Sequence, residues 1–143
     1  MNYVKCKTFT SKAVIGWKQG YTEKSISIDE YKSTLLTEQN NIYEKYNIAL
    51  STKLSSCEIM FLGHDEPSIE LTFIQYPKFL KEEKEIKSTV IELIEGMMIK
   101  LSQNRVVIVF TDETIMLEKS DKIDPNIKLN KKWKKYLQLF LVF

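Results

Sequence analysis

The side chains of this chain that could do chemistry are few and scattered. Histidine occurs once, as His64 in Gly63-His64-Asp65-Glu66-Pro67, a stretch that could supply a general base or a loose metal cluster. Consecutive side chains in a turn diverge, and no second histidine or cysteine stands at ligand spacing, so the stretch reads as a solvated turn and no metal site is expected. Cys57 precedes His64 by seven residues, yet nothing like a nucleophile elbow surrounds it, and no catalytic nucleophile is expected there. Gly16 and Gly20 bracket Trp17-Lys18-Gln19 without the spacing or the lysine-hydroxyl pair of a phosphate loop. The acidic pairs Glu82-Glu83 and Asp112-Glu113 stand where helix starts and turns favour acids. The sequence thus predicts no cofactor and no catalytic residue, with an enzyme using His64 or a carboxylate as the alternative.

Non-covalent recognition has better candidates. Arg105 is the single arginine of a chain that otherwise uses lysine. With Asn104 it stands at the mouth of the apolar run Val106 to Phe110, where a planar guanidinium could meet an anion or a nucleobase edge. Trp17 and Tyr76 could stack a ring, as could Tyr3, Tyr21 and Phe79. Asn104, Arg105, Trp17 and Tyr76 are therefore the candidate ligand-binding residues, for an anionic small molecule. The competing reading makes residues 103–105 a helix end and turn, with Arg105 favourable beside the last helical carbonyls.

The elements that must position these residues follow from periodicity. Residues 4–17 mix β-branched and aromatic types, with Phe9, Ala13, Ile15 and Trp17 on one face, and predict a first strand or two short ones. Ser27 with Glu30 forms a capping box, and Tyr31, Leu35, Ile42 and Tyr46 mark the stripe of a helix ending near Asn47. Ile48, Leu50 and Leu54 then alternate until Ser55-Ser56 breaks the pattern, which predicts a bulge or two strands. After the turn chemistry of residues 63–67, Ile69, Leu71 and Phe73 alternate as the return strand of a hairpin. Apolar residues at three- and four-residue steps from Ile86 to Leu101 predict a second helix. "RVVIVF" has the length and continuity of an interior strand, and "TIMLE" could pair with it across Thr111-Asp112-Glu113.

This order, βαββαβ, is the ferredoxin-like α+β plan, an antiparallel sheet with both helices on one face. The domain spans residues 1–118. Residues 119–143 form a linker and a basic, apolar extension docking on the domain or a partner. That extension holds seven lysines against Asp121 and Asp124, so the formal charge of +2 leaves an acidic main domain and a basic tail. Lys132, Trp133, Lys135, Tyr136 and Phe140 are its candidate interface residues. A nucleic-acid contact through the tail is an alternative. Cys6 and Cys57 read as free thiols, no apolar run is long enough to span a membrane, and a cytoplasmic location is expected.

"SIDEY" at the first helix, and Gln103 before the valine-rich strand starting at Val106, resemble a group of small bacterial and phage proteins of unknown function with a ferredoxin-like core, over about residues 4–118. In size and plan the domain also resembles phage proteins that sequester nucleotide signals or block host nucleases. That resemblance implies a binder without turnover: a small non-enzymatic, counter-defence type of protein, a homo-oligomer or one that engages a host protein or a nucleotide-like ligand.

Overall fold

The computed structural model describes residues 1–18 and 24–120; the expected interface residues Lys132, Trp133, Lys135, Tyr136 and Phe140 lie outside them. The elements are β1 (Thr10–Gly16), α1 (Ile28–Tyr46), β2 (Thr52–Phe61), β3 (His64–Ile74), a 3-10 turn (Pro77–Phe79), α2 (Glu83–Lys100), β4 (Arg105–Phe110) and β5 (Thr114–Glu118). The strands form one antiparallel sheet in the order β2-β3-β1-β4-β5, which is the ferredoxin-like order with β5 added at one edge.

Local chemistry sets most of the boundaries. The Glu30 N–H donates to Ser27 Oγ (3.1 Å), and Asp29 and Glu30 place negative charge at the positive end of α1. Asn47 ends the helix in the left-handed region (φ 56°), where an asparagine costs less than most residues, and its N–H returns to Tyr43 O at 2.8 Å. Between β2 and β3 the turn is Leu62-Gly63, both at positive φ (47° and 82°). Two such residues match the twist of a two-residue hairpin.

Three expectations are corrected here. The first strand starts at Thr10, opposite Ile74, because β3 ends there and residues before it have no strand to pair with. Ser55-Ser56 does not break β2, which pairs with β3 from Thr52 to Phe61 without interruption. As an edge strand, β2 has no need of strict apolar alternation, so its sequence pattern understates its continuity. Residues 64–67 belong to β3, and the turn lies just before them.

One face of the sheet is apolar. Ala13, Ile15, Ile69, Leu71, Phe73, Val106, Ile108 and Phe110 point to the same side and are buried against Tyr31, Leu35 and Ile42 of α1 and Val90, Leu93, Ile94 and Met97 of α2. Tyr46, expected on the same stripe, is exposed at the helix end. The two helices approach closely at Gly96. A Cβ there would overlap the carboxylate of Glu38, which lies buried over it and pairs with Lys100 at 2.7 Å. The opposite face carries Lys12, Val14, Glu70, Val107, Val109 and Met116, of which Lys12, Val107, Val109 and Met116 are exposed. Among the described residues no helix is long and apolar enough to cross a membrane.

Arg105 now has a structural account. It opens β4 directly opposite Glu118 of β5, with Nε and Nη2 both on Glu118 Oε1 (2.8 and 2.7 Å). Both side chains are about one-third exposed or less, so the pair fixes register at a modest gain of about 0.2–1 kcal/mol. Urea denaturation is expected to rank three substitutions. Leu93→Ala, which empties a fully buried position, costs about 2–5 kcal/mol. Ser27→Ala, which removes one cap, costs about 1 kcal/mol, and Arg105→Lys costs less than about 1 kcal/mol.

Candidate functional site

The end of β1 is where polar groups gather against the core. Gly16 is buried, and a Cβ in its place would overlap Glu66 Oε1, with Glu66 Cδ at 3.2 Å and Gln103 Oε1 at 3.4 Å. Two side-chain oxygens from distant parts of the chain thus converge on the space that a side chain would fill. Glycine is required here by close approach rather than by an unusual backbone angle.

Each contributor is held in place by its own element. Gln103 follows α2 and is buried; its Nε2 donates to Lys18 O (2.8 Å) and Leu101 O (3.2 Å), which turns Oε1 toward Gly16. Glu66 sits on β3, two residues before Ser68, the strand partner of Gly16. The backbone N–H of Trp17 donates to Pro67 O at 3.1 Å, which holds the main chain at the end of β1. Tyr31, in the first turns of α1, is fully buried and donates its hydroxyl to the Gly16 carbonyl, with Ile15 O at 3.4 Å. Its ring lies 6.1 Å from that of Trp17, tilted by 56°.

The electrostatics are those of an acceptor-rich corner. Burial first, and the Glu66 carboxylate second, push the Tyr31 phenol well above its ordinary range, so Tyr31 is a neutral donor at any physiological pH. Its proton is committed to the backbone. Glu66 Oε1 and Gln103 Oε1 fill the space beside Gly16 that a Cβ would need, so the corner is closely packed and rich in acceptor oxygens. Among the described residues no three His, Cys, Asp or Glu side chains cluster as metal ligands.

The residues that the sequence singled out are spread over the molecule. Trp17 flanks the corner. Asn104 Nδ2 donates to Ser120 O (3.3 Å), and Arg105 is engaged by Glu118, so both serve the junction of β4 and β5. Tyr76 stands at the other end of the sheet, beyond β3, beside a cavity with Tyr43 and Phe79. His64 is the first residue of β3, paired with Phe61, and does not form a cluster with Cys57. Tyr31 and Glu66 were missed as site residues because one reads as core and the other as turn. A glycine closing an apolar strand was the available signal that something approaches closely there.

No family model matches the chain, and no curated protein matches it. Two solved structures share its fold. One, phage SAM lyase in complex with S-methyl-5'-thioadenosine, has a TM-score of 0.58 and 13% identity, covering 82% of this chain and 95% of that one. The other, phage SAM lyase in the apo state, has a TM-score of 0.60 and 13% identity, with 84% and 96% covered. The resemblance to small phage proteins agrees with this at the level of fold, and a nucleoside ligand accompanies one of the two neighbours. The expectation of a non-enzymatic binder is corrected by the same finding, since the fold this chain shares is that of an enzyme.

Proposed function

We propose that this protein cleaves SAM, S-adenosylmethionine, releasing S-methyl-5'-thioadenosine. The observation that carries the reading is the convergence of Glu66 Oε1 and Gln103 Oε1 over Gly16, at the corner of a fold shared with a lyase of that substrate. The substrate is a sulfonium cation, and the Glu66 carboxylate at this corner is the group we assign to face it, since its charge attracts such a cation without needing a hydrogen-bond donor from it. Trp17, half-buried and tilted against Tyr31, is the ring we assign to the adenine. Consumption of a host methyl donor also fits a counter-defence role.

The reaction asks little of acid or base groups. When the bond from sulfur to the methionine γ-carbon breaks, its electron pair stays on sulfur and the sulfonium becomes a neutral thioether. The carbon fragment completes the step by losing a proton or by closing on its own carboxylate. Charge disappears at sulfur, so partial removal from water favours the step. Glu66 holds the cation in the ground state as well as on the way to the transition state, so its main contribution is to binding. Tyr31 is a positioning residue, because it fixes the Gly16 carbonyl and with it the end of β1.

The corner lies where β3 turns Glu66, Ser68 and Glu70 to the side opposite the helices. On the neighbouring face, which no other described element covers, Val107, Val109 and Met116 are exposed, and we place a second copy of the chain against it. Native mass spectrometry of the full chain is expected to show an oligomer, and a monomer would remove this part of the proposal.

Incubation with SAM and detection of S-methyl-5'-thioadenosine by mass spectrometry tests the activity, and the absence of that product from the parent protein would overturn it. Glu66→Gln is expected to raise KM by about tenfold to a hundredfold, the worth of a hydrogen bond or contact to a charged group, with a smaller change in kcat. A loss confined to kcat would instead make Glu66 a base. Tyr31 gives a readout independent of turnover. Its phenol is raised in the folded protein, so its contribution to stability is complete below the unfolded value of about pH 10 and is lost as pH rises beyond it. Tyr31→Phe should remove that part of the alkaline decline in unfolding free energy, measured on both sides of about pH 10.

A further inference from the structure

The opposite end of the sheet holds a cavity of about 420 Å³, between the last turns of α1, the connection 47–51 and the end of β3 with its 3-10 turn. Its floor is the core itself, at Ile48, Leu50, Phe73 and Ile86. Around the opening stand Tyr43, Tyr76 and Phe79, exposed by 54%, 46% and 70% although an apolar floor lies behind them. Three rings held at a rim in this way offer flat faces to a ligand, whereas rings needed for the core would have closed over it.

The walls are fixed by hydrogen bonds. Gln39 Nε2 donates to Leu50 O (2.8 Å) and Thr52 Oγ1 (3.2 Å), holding the connection 47–51 to α1. Gln75 spans the 3-10 turn in both directions, donating to Lys81 O (2.9 Å) and accepting from the Lys81 N–H (3.4 Å). Ser51 Oγ donates to Tyr76 Oη at 3.3 Å, which sets the orientation of that ring. Asn40 adds a further side-chain amide to the lining.

Charge separates this cavity from the corner at Gly16. Among the described residues no acidic side chain lines it, and Lys81 is the charged residue of its lining. A sulfonium cation would find no counter-charge here. A planar, uncharged ring with hydrogen-bonding edges fits the aromatic and amide lining, and an anionic group on that ring fits Lys81. The volume lies at the lower end of the range for small-molecule sites, which suits one nucleotide rather than a larger cofactor. We propose that this cavity is a second ligand site, taking the base of a nucleotide between its aromatic rim and amide walls, with the phosphate toward Lys81.

The test is calorimetric titration of the full chain with adenosine 5'-monophosphate, beside thermal melts of each variant. Tyr76→Ala removes a stacking ring, and Ala49→Trp fills the cavity from an exposed position that no core packing depends on. Each is expected to weaken binding by about tenfold, within the worth of a base stacked on an aromatic ring, while Glu66→Gln binds like the parent. The proposal is overturned if the parent shows no saturable binding, if either cavity variant binds as the parent does, or if Glu66→Gln abolishes binding, which would put the base at the Gly16 corner. These outcomes are independent of whether SAM is cleaved, so the two readings fail separately.

Discussion

The constraint on which the rest of this structure depends is the position of β1, which lies at the centre of the sheet and is hydrogen-bonded on both sides. Ala13 pairs with Leu71 on one flank and Ile108 on the other, and it is fully buried. The strand is short because both partners bound it, and it stops at the residue where Tyr31 reaches from α1 to the Gly16 carbonyl. One tyrosine hydroxyl therefore ties the first helix to the central strand, and the same contact leaves the space above Gly16 to Glu66 and Gln103. The fold and the candidate site share their keystone, so changes to either propagate to the other.

Much of the architecture was legible in the sequence because the signals were local or strictly periodic. Ser27 and Glu30 marked the start of α1, and Asn47 its end. The run from Ile86 to Leu101 marked α2, and the apolar run after Arg105 marked β4. What was not legible depended on partners. The length of β1 is set by where β3 ends, and the continuity of β2 by a ladder that does not require apolar alternation at a sheet edge. Arg105 drew attention by its rarity and proved to be half of a cross-strand pair with Glu118, a contact whose register follows only once the β4–β5 hairpin is in place. The corner was least legible of all. Glu66 looks like turn chemistry beside Pro67, and only the backbone brings its carboxylate against a glycine fifty residues earlier.

The molecule divides its electrostatics along the sheet. One end gathers oxygens around the close of β1, and the other is lined by aromatics, amides and Lys81. α1 runs between them, with Tyr31 in its first turns and Tyr43 near its last, so a single rigid element borders both. The two regions therefore differ in character, one rich in acceptor oxygens and the other aromatic with a lysine at its edge.

The hairpin of β2 and β3 has one further consequence. β1 pairs with β3 only from Ser68 onward, with one further backbone bond from Trp17 to Pro67, so, among the described residues, 59–66 form a two-stranded hairpin end, with Ile59, Met60, Phe61 and Leu62 exposed on it. A ribbon of two strands is marginal in water and opens far more readily than a strand bonded on both sides. Glu66 sits at its root. The acidic oxygen of the corner is thus carried where the three-stranded part of the sheet passes into the hairpin, so its position depends on the register of β3 against both neighbours.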